Sequence, residues 1–474
     1  MLFKDWSSEK IFLLLAAIVG GLLIFLTPPM CTPDENTHFL NAYSISHGDV
    51  FPEVVDGQIG RYIKKSIVDF VNNNNVKYVT NLTEKYNFSE FYFNSWLQDR
   101  STDTVFYSNG SLMGINPVGY IISGVGMTLG RICLKIFGQG FDTPYNMLIF
   151  GRISNLFFYL IVGFYAIKIT PGLKKTMMAL MLLPMSLFLG ASMSYDAILI
   201  PICTLFVANT LKILLSTEDF QINRSDILIT SICTFFMCGV KVAYAPLLLL
   251  LLCIPKRKFG SIKTYIKCIT LISILVISAY IVPKIMLNIS IDGYGSVVDE
   301  RIIMQKEYFW SHLNKVPQII YDSLKSNIGF YTIGFFGILG QLDTNFPVPF
   351  LLILMILFNI VLLIDMCHIK GIKKSYRIVS LFVTIGIILA MHYQIYITWT
   401  PLVSDIGTTV VSGIQGRYFL PMFCFSMIAL MNNLSNRHAI VSEYLKRKKM
   451  LISELVVILS SIATVLVVLL RFWV

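Results

Sequence analysis

Apolar residues in this chain fill long unbroken runs instead of recurring at the spacing of a half-buried helix or strand. A bilayer is crossed by about 20 such residues. The runs predict eleven spans: Ile11–Leu26, Met147–Ile167, Thr176–Gly190, Ala197–Leu215, Ile227–Cys238, Val242–Cys253, Tyr265–Val282, Val348–Met366, Ile378–Ile397, Arg417–Met431 and Leu451–Phe472. A further run, Pro117–Phe137, is rich in Gly and carries Arg131 and Lys135 near its end, which suits a segment lying in the interface. Ile328–Leu339 is short and Gly-rich, and predicts a re-entrant or broken element buried against protein.

Polar positions decide the orientation. If Pro117–Phe137 does not cross, the N-terminus with Lys4 and Lys10 falls on the same side as the clusters Lys168–Lys175, Pro255–Lys263, His368–Arg377 and Lys446–Lys449. Basic connectors mark the cytoplasmic side. The opposite face then receives a large first loop at 27–145, the Ala191–Asp196 corner, the Lys241 turn, a second loop at 283–347 and the stretch Ile397–Gly416. The expected organisation is one integral membrane domain, all α-helical and polytopic, with its distinctive polar sequence outside. Asn72–Asn75 and the polar stretch to Gly114 predict a surface excursion with little core of its own.

Composition agrees. Of 474 residues, 55% are hydrophobic and 14% charged, with a mean hydropathy of +0.70; soluble domains carry roughly 25% charged residues. The net charge of +11 sits in the connectors, where it sets topology and does not form a nucleic-acid surface. The nine Cys lie mostly inside apolar runs without metal-ligand spacing. No P-loop, HExxH or GxSxG arrangement occurs, which argues against an ATP-driven pump, a zinc protease and a serine esterase.

Two polar motifs carry candidate chemistry. TPPMCTPDENTHF (Thr27–Phe39) places Asp34, Glu35 and His38 where the first span ends. Thr32-Pro33-Asp34-Glu35 has the form of a helix capping box, and the same helix would set Asp34 and His38 on one face. A carboxylate there can take the proton of an acceptor hydroxyl, and Asp34 with Glu35 would be the ligands if a divalent cation, Mg or Mn, is used. His38 orients Asp34, contacts substrate, or is simply an interfacial polar residue. SGIQGRYFLP (Ser412–Pro421) offers Gln415, Arg417 and Tyr418 behind two glycines that permit close backbone approach. Arg417 is either a phosphate fork or a snorkelling boundary residue. Asp196, Lys241 with Tyr244 in KVAYAP, and Arg152 in FGRISNL complete the substrate-binding candidates, while Tyr396 and Trp399 are either sugar-stacking groups or part of an interfacial aromatic belt.

With PDENTH (Pro33–His38), QGRYFLP (Gln415–Pro421) and the weaker ASMSYDA (Ala191–Ala197), KVAYAP (Lys241–Pro246) and GILGQLDTNFP (Gly337–Pro347), the chain resembles the DUF2142 family of bacterial membrane proteins, related to the GT-C glycosyltransferases. The resemblance implies a GT-C-like fold with interfacial helices in the first external loop, an acidic catalytic residue there that Asp34 matches, and a polyprenyl-phosphate-linked sugar as donor. Together with the topology, the expected activity is inverting transfer to a glycan or glycolipid acceptor at the outer face of a bacterial plasma membrane. A departure from the GT-C pattern is the lack of a sizeable soluble C-terminal domain, which leaves acceptor recognition to the loops. The rival expectations are an oligosaccharide polymerase or ligase, a lipid or polysaccharide transporter without bond chemistry, and a noncatalytic assembly scaffold. No internal repeat is visible, which weighs against an inverted-repeat transporter.

Overall fold

The computed structural model describes residues 3, 6–87, 102–109, 116–137, 142–292, 300–367, 369, 371–431 and 439–474, the last segment by backbone alone up to residue 450. Lys4, His368 and parts of the first loop lie outside the described residues, as do the side chains of Lys446–Lys449. The protein is predominantly helical. Among the described residues, eight helices are long and apolar enough to cross a membrane by length and composition: Ser8–Leu26, Pro117–Ile136, Pro144–Ile169, Asp196–Leu215, Ile262–Ser290, Val348–Met366, Lys374–Thr398 and Leu451–Phe472. Pro117–Ile136 is therefore long and apolar enough to span, and the expected eleven spans are not all continuous helices.

The differences have local causes. Thr176–Gly190 forms two helices, Lys174–Met181 and Pro184–Gly190. Pro184 supplies no N–H and pushes Leu183 into extended backbone (φ −60, ψ 149). The Tyr159 hydroxyl donates to the Met181 carbonyl at 2.7 Å beside this break. Arg417–Met431 is likewise a chain of short turns, Gly416–Phe419, Phe423–Ser426 and Met427–Leu430. Side chains of the neighbouring Lys374–Thr398 helix serve its carbonyls, Ser380 donating to Phe425 and Arg377 to Ala429. Irregular backbone at such depth is tolerated where protein supplies its partners. Val242–Cys253 is a 3₁₀ segment with Pro246 inside it, and Arg224–Val240, at 17 residues, falls just short of a span. Ile328–Leu339 lies mostly in one continuous helix, Val316–Gly337, which ends in a two-stranded hairpin, Ile338–Leu339 with Thr344–Asn345.

Asp196–Leu215 is the most enclosed of the candidate spans. It packs between Pro144–Ile169 and Arg224–Val240, and Ser8–Leu26 lies against the other side of Pro144–Ile169. The first loop has a core, built mainly ahead of the 72–114 stretch expected to be a surface excursion, of which residues 88–101 and 110–114 lie outside the described residues. Strands Glu53–Val55, Gln58–Lys64 and Thr104–Ser108 form an antiparallel sheet in that order. Alternation buries Ile59, Arg61 and Ile63, and the amphipathic helix Lys65–Asn74 adds Ile67, Phe70 and Val71. These residues other than Ile59 and Arg61 join Phe39 and Tyr43 of the helix Glu35–Ser46, together with Tyr120, Met127, Tyr145 and Met193, in a second hydrophobic cluster. That cluster fixes Glu35–Ser46 against the bundle.

Candidate functional site

The sequence TPPMCTPDE turns sharply after the first helix, and the turn is held by side chains from distant segments. Arg152 donates from Nη1 to the carbonyls of Ile24 (2.9 Å) and Thr27 (2.7 Å), from Nη2 to Pro28 (3.1 Å) and Glu35 Oε2 (2.7 Å), and from Nε to Glu35 Oε1 (2.9 Å). A guanidinium has five N–H donors, and all five are used. Glu35 is fully buried and also receives the Met193 N–H at 3.4 Å. Glu35 and Arg152 therefore form a closed, saturated pair behind the turn. The expected Asp34–Glu35 carboxylate pair does not form.

The expected capping box is absent too. The helix begins at Glu35, with Asp34 at its N-cap in the left-handed conformation (φ 59) and without a side-chain cap bond. Among the described residues the Thr32 hydroxyl is buried without a partner; the Glu35 N–H it would take in a capping box goes to the Thr32 carbonyl at 3.1 Å, and Arg152 holds the Glu35 carboxylate. A non-glycine residue at positive φ is held by its surroundings at a cost in strain, and Asp is among the residues that tolerate it best.

This geometry aims Asp34 away from Glu35. Its Oδ2 accepts from Arg417 Nη2 at 2.5 Å, and Arg417 Nη1 donates to Asp196 Oδ2 at 3.2 Å. Gln415 Oε1 takes the Arg417 Nε–H at 2.6 Å. Arg417 and Asp196 are each 2% exposed, whereas the Asp34 side chain is 58% exposed, because it opens on a cavity. Gly416 makes the arrangement possible: a Cβ there would stand 2.3 Å from the Phe335 nitrogen and the Tyr331 oxygen, so only glycine lets this backbone lie against the Val316–Gly337 helix.

The cavity measures about 710 Å³ and is lined by Asp34, Asn36, His38, Lys241, Lys284 and Trp399 among others. His38 Nδ1 meets the Tyr120 hydroxyl at 3.1 Å, its ring packs edge-to-face with Tyr195, and its Nε2 is buried without a partner among the described residues. The Lys241 ammonium lies 3.6 Å from the centre of the Tyr418 ring, a cation–π contact, and Tyr244 braces that platform by donating from its hydroxyl to the Tyr418 carbonyl at 2.6 Å. Lys284 and Asn36, which drew no attention in the sequence, face the same space as Lys241. Lys284 follows an apolar run near Pro283, and its only sequence signal was a charge at the edge of that run.

Electrostatics follow this layout. Setting Asp34 inside the recess would raise its carboxyl, but the Arg417 guanidinium with His38 and Lys241 outweighs that and holds it below the ordinary carboxylate range. Burial pushes His38 down to about 4 despite Asp34, so the imidazole is neutral near pH 7. Burial also pushes Lys241 down to about 8, opposed by Asp196 and Asp34 and assisted by Arg417.

Asp34 and Glu35 are not arranged as a pair of ligands for a divalent cation. Among the described residues no three His, Cys, Asp or Glu side chains gather in metal-binding geometry. Glu35 is committed to Arg152, and the Arg417 guanidinium bridges Asp34 and Asp196, where a cation would have to sit.

Of the candidates, Asp34, Asp196, Gln415 and Arg417 converge on one contact. Lys241, Tyr244 and Tyr418 form an adjoining stack, His38 shares the cavity wall, and Glu35 with Arg152 stands apart as a clamp.

A family model described as "Predicted membrane protein (DUF2142)" matches residues 16–426. No curated protein and no solved structure matches the chain.

Proposed function

The chain belongs to the DUF2142 family of predicted membrane proteins, and from that premise we propose that it is an inverting glycosyltransferase of GT-C type. On this reading it moves a sugar from a polyprenyl-phosphate-linked donor to a hydroxyl of a cell-envelope glycan or glycolipid at the outer face of a bacterial plasma membrane. The observation that carries the reading is the Asp34 carboxylate, pinned through Oδ2 to Arg417 and open to a cavity whose lining includes Lys241 and Lys284.

With Oδ2 committed to Arg417, Oδ1 makes no hydrogen bond among the described residues and is the atom that meets the acceptor hydroxyl. In the transfer step the acceptor oxygen attacks the anomeric carbon, and its proton passes to Asp34. The bond from that carbon to the phosphate oxygen breaks, and its electron pair leaves on the phosphate. General-base assistance of this kind contributes roughly 10²–10⁴-fold. The negative charge of the leaving polyprenyl phosphate is balanced by Lys241 and Lys284, two cationic residues of the cavity lining.

Arg417 acts behind Asp34, since it is nearly fully buried and already holds two carboxylates. It keeps the base ionised and aimed. His38, neutral, forms part of the cavity wall beside Asp34, with its ring held by Tyr120 and Tyr195. Trp399, half exposed on the cavity wall, provides a face for a sugar ring. Glu35 and Arg152 hold the turn that carries Asp34.

Asn tolerates the left-handed conformation at least as well as Asp, which makes Asp34→Asn a clean test. Purified protein supplied with a polyprenyl-phosphate sugar and acceptor should lose at least roughly 10²-fold in transfer on this substitution. Undiminished transfer would remove Asp34 as the base.

A further inference from the structure

Gln341 lies 307 residues from Asp34 in sequence, in the GILGQLDTNFP stretch, and has no part in the chemistry above. Its amide nitrogen donates to the carbonyls of Met30 at 2.8 Å and Thr32 at 2.7 Å. Its amide oxygen receives the backbone N–H of Asp34 at 3.3 Å. Two carbonyls on one end of the amide and an N–H on the other leave one orientation that satisfies all three. One side chain thus grips the acid turn on both sides of Pro33.

The grip is itself built. Gly340 (φ +64) and Leu342 (φ 69) turn the hairpin tip in the left-handed region. A Cβ on Gly340 would fall 1.9 Å from Asp343 Oδ1, so that position admits only glycine. Asp343 Oδ1 accepts the Gln341 backbone N–H at 2.8 Å, and its Oδ2 meets Arg471 Nε at 3.0 Å. Arg471 stands at the end of the last helix, and Trp473 beside it donates to the Leu26 carbonyl at 2.8 Å. The tip that carries Gln341 is anchored to the same end of the bundle as the turn it holds.

We propose that Gln341 is a positioning residue for the acid. Its amide holds Asp34 in the left-handed conformation that turns the carboxylate from the buried Glu35 side toward the cavity and Arg417. This rests on the reading of Asp34 as the base. A backbone at φ 59 outside glycine needs its neighbours to fix it, and among the described residues Gln341 supplies the side-chain bond to the Asp34 N–H. An amide is the group that supplies two donors and an acceptor together; a carboxylate loses the donors and a thioether loses everything but the volume.

The test is a double-mutant cycle on the purified full chain in detergent, with Gln341→Met, which keeps length and bulk, and Asp34→Asn. Gln341→Met alone should lower kcat on the order of 10²-fold, the scale of a misplacement of about 1 Å, with donor KM changed by less than about threefold. In the Asp34→Asn background the same substitution should cost less than about threefold, because a residue acting through Asp34 has nothing left to position. Hydrogen exchange at residues 30–35 should quicken at the Asp34 amide while the surrounding helices keep their protection. Parental kcat in Gln341→Met, full additivity with Asp34→Asn, or unchanged exchange at Asp34 would each overturn the proposal. Gln341→Glu is judged by the same criteria if Gln341→Met does not fold. Parental transfer in Asp34→Asn alone would instead bring down the reading of Asp34, a result separable from any obtained at Gln341.

Discussion

Asp34 Oδ2 and Arg417 Nη2 stand 2.5 Å apart although 383 residues separate them in the chain. The contact brings an early and a late segment of the chain to one point, and it is asymmetric. Arg417 is buried and shared with Asp196, while Asp34 is open. A Lys at position 417 keeps the charge but not a fork able to hold both carboxylates and Gln415 at once. Arg417→Lys should therefore lower kcat by at least roughly tenfold while leaving the protein folded, and Arg417→Ala should cost more because it strands Asp196 as an unpaired buried charge. Steady-state transfer kinetics beside thermal melts in detergent check both statements.

Glu35 and Arg152 make the opposite prediction. Both are buried and mutually satisfied, so Glu35→Gln should act on stability before chemistry. Removing one partner of a buried pair costs about 3–5 kcal/mol. The expected result is a lower melting temperature and poor yield, with surviving protein retaining donor affinity. A stable Glu35→Gln protein that binds donor normally but cannot transfer would return Glu35 to the reacting groups.

Lys241 gives the account an alkaline limit. Its ammonium is pushed down to about 8, so it carries its charge below that pH and loses it above. Donor affinity should weaken as pH rises through about 8, with bound phosphate moving the limit upward. Lys241→Arg, charged throughout, should flatten this limb of the KM profile. A wild-type KM for donor constant from pH 7 to 9.5 would show that Lys241 does not hold the phosphate.

His38 sets an acid limit on stability. Its folded value near 4 lies below the ordinary 6.5, so between those values the unfolded chain binds more protons and stability falls as pH falls. Over that window the loss is on the order of 3 kcal/mol for a fully buried group. His38→Gln, which does not titrate, should lessen the drop in melting temperature between pH 6.5 and 4.5.

Much of this was legible in the chain, for identifiable reasons. Unbroken runs such as Ile11–Leu26 and Val348–Met366 are helices because nothing in them competes with the backbone ladder. The interruptions at Pro184, Pro246 and Pro421 were visible as residues, but apolarity outweighed them, and the resulting short turns depend on partners such as Tyr159 and Ser380 that sequence does not locate. Asp34 and Arg417 stood out as charges beside apolar runs, yet nothing local distinguished Asp34 from Glu35. Only Arg152, arriving from another helix, assigns one carboxylate to the interior and leaves the other to the cavity. The core of the first loop was missed because its alternation, Ile59, Arg61, Ile63, includes an arginine that is buried by donating to the carbonyls of Asp49 and Val50.

The central claim is that bond exchange takes place in the cavity beside Asp34, and the most direct measurement is product analysis with purified protein in liposomes. A polyprenyl-phosphate sugar labelled in the sugar, supplied with acceptor, should yield a new glycosidic bond of inverted anomeric configuration and one free polyprenyl phosphate per sugar transferred. Label that crosses the bilayer with its sugar–phosphate bond intact, and no release of polyprenyl phosphate, would contradict the account and point to a transporter.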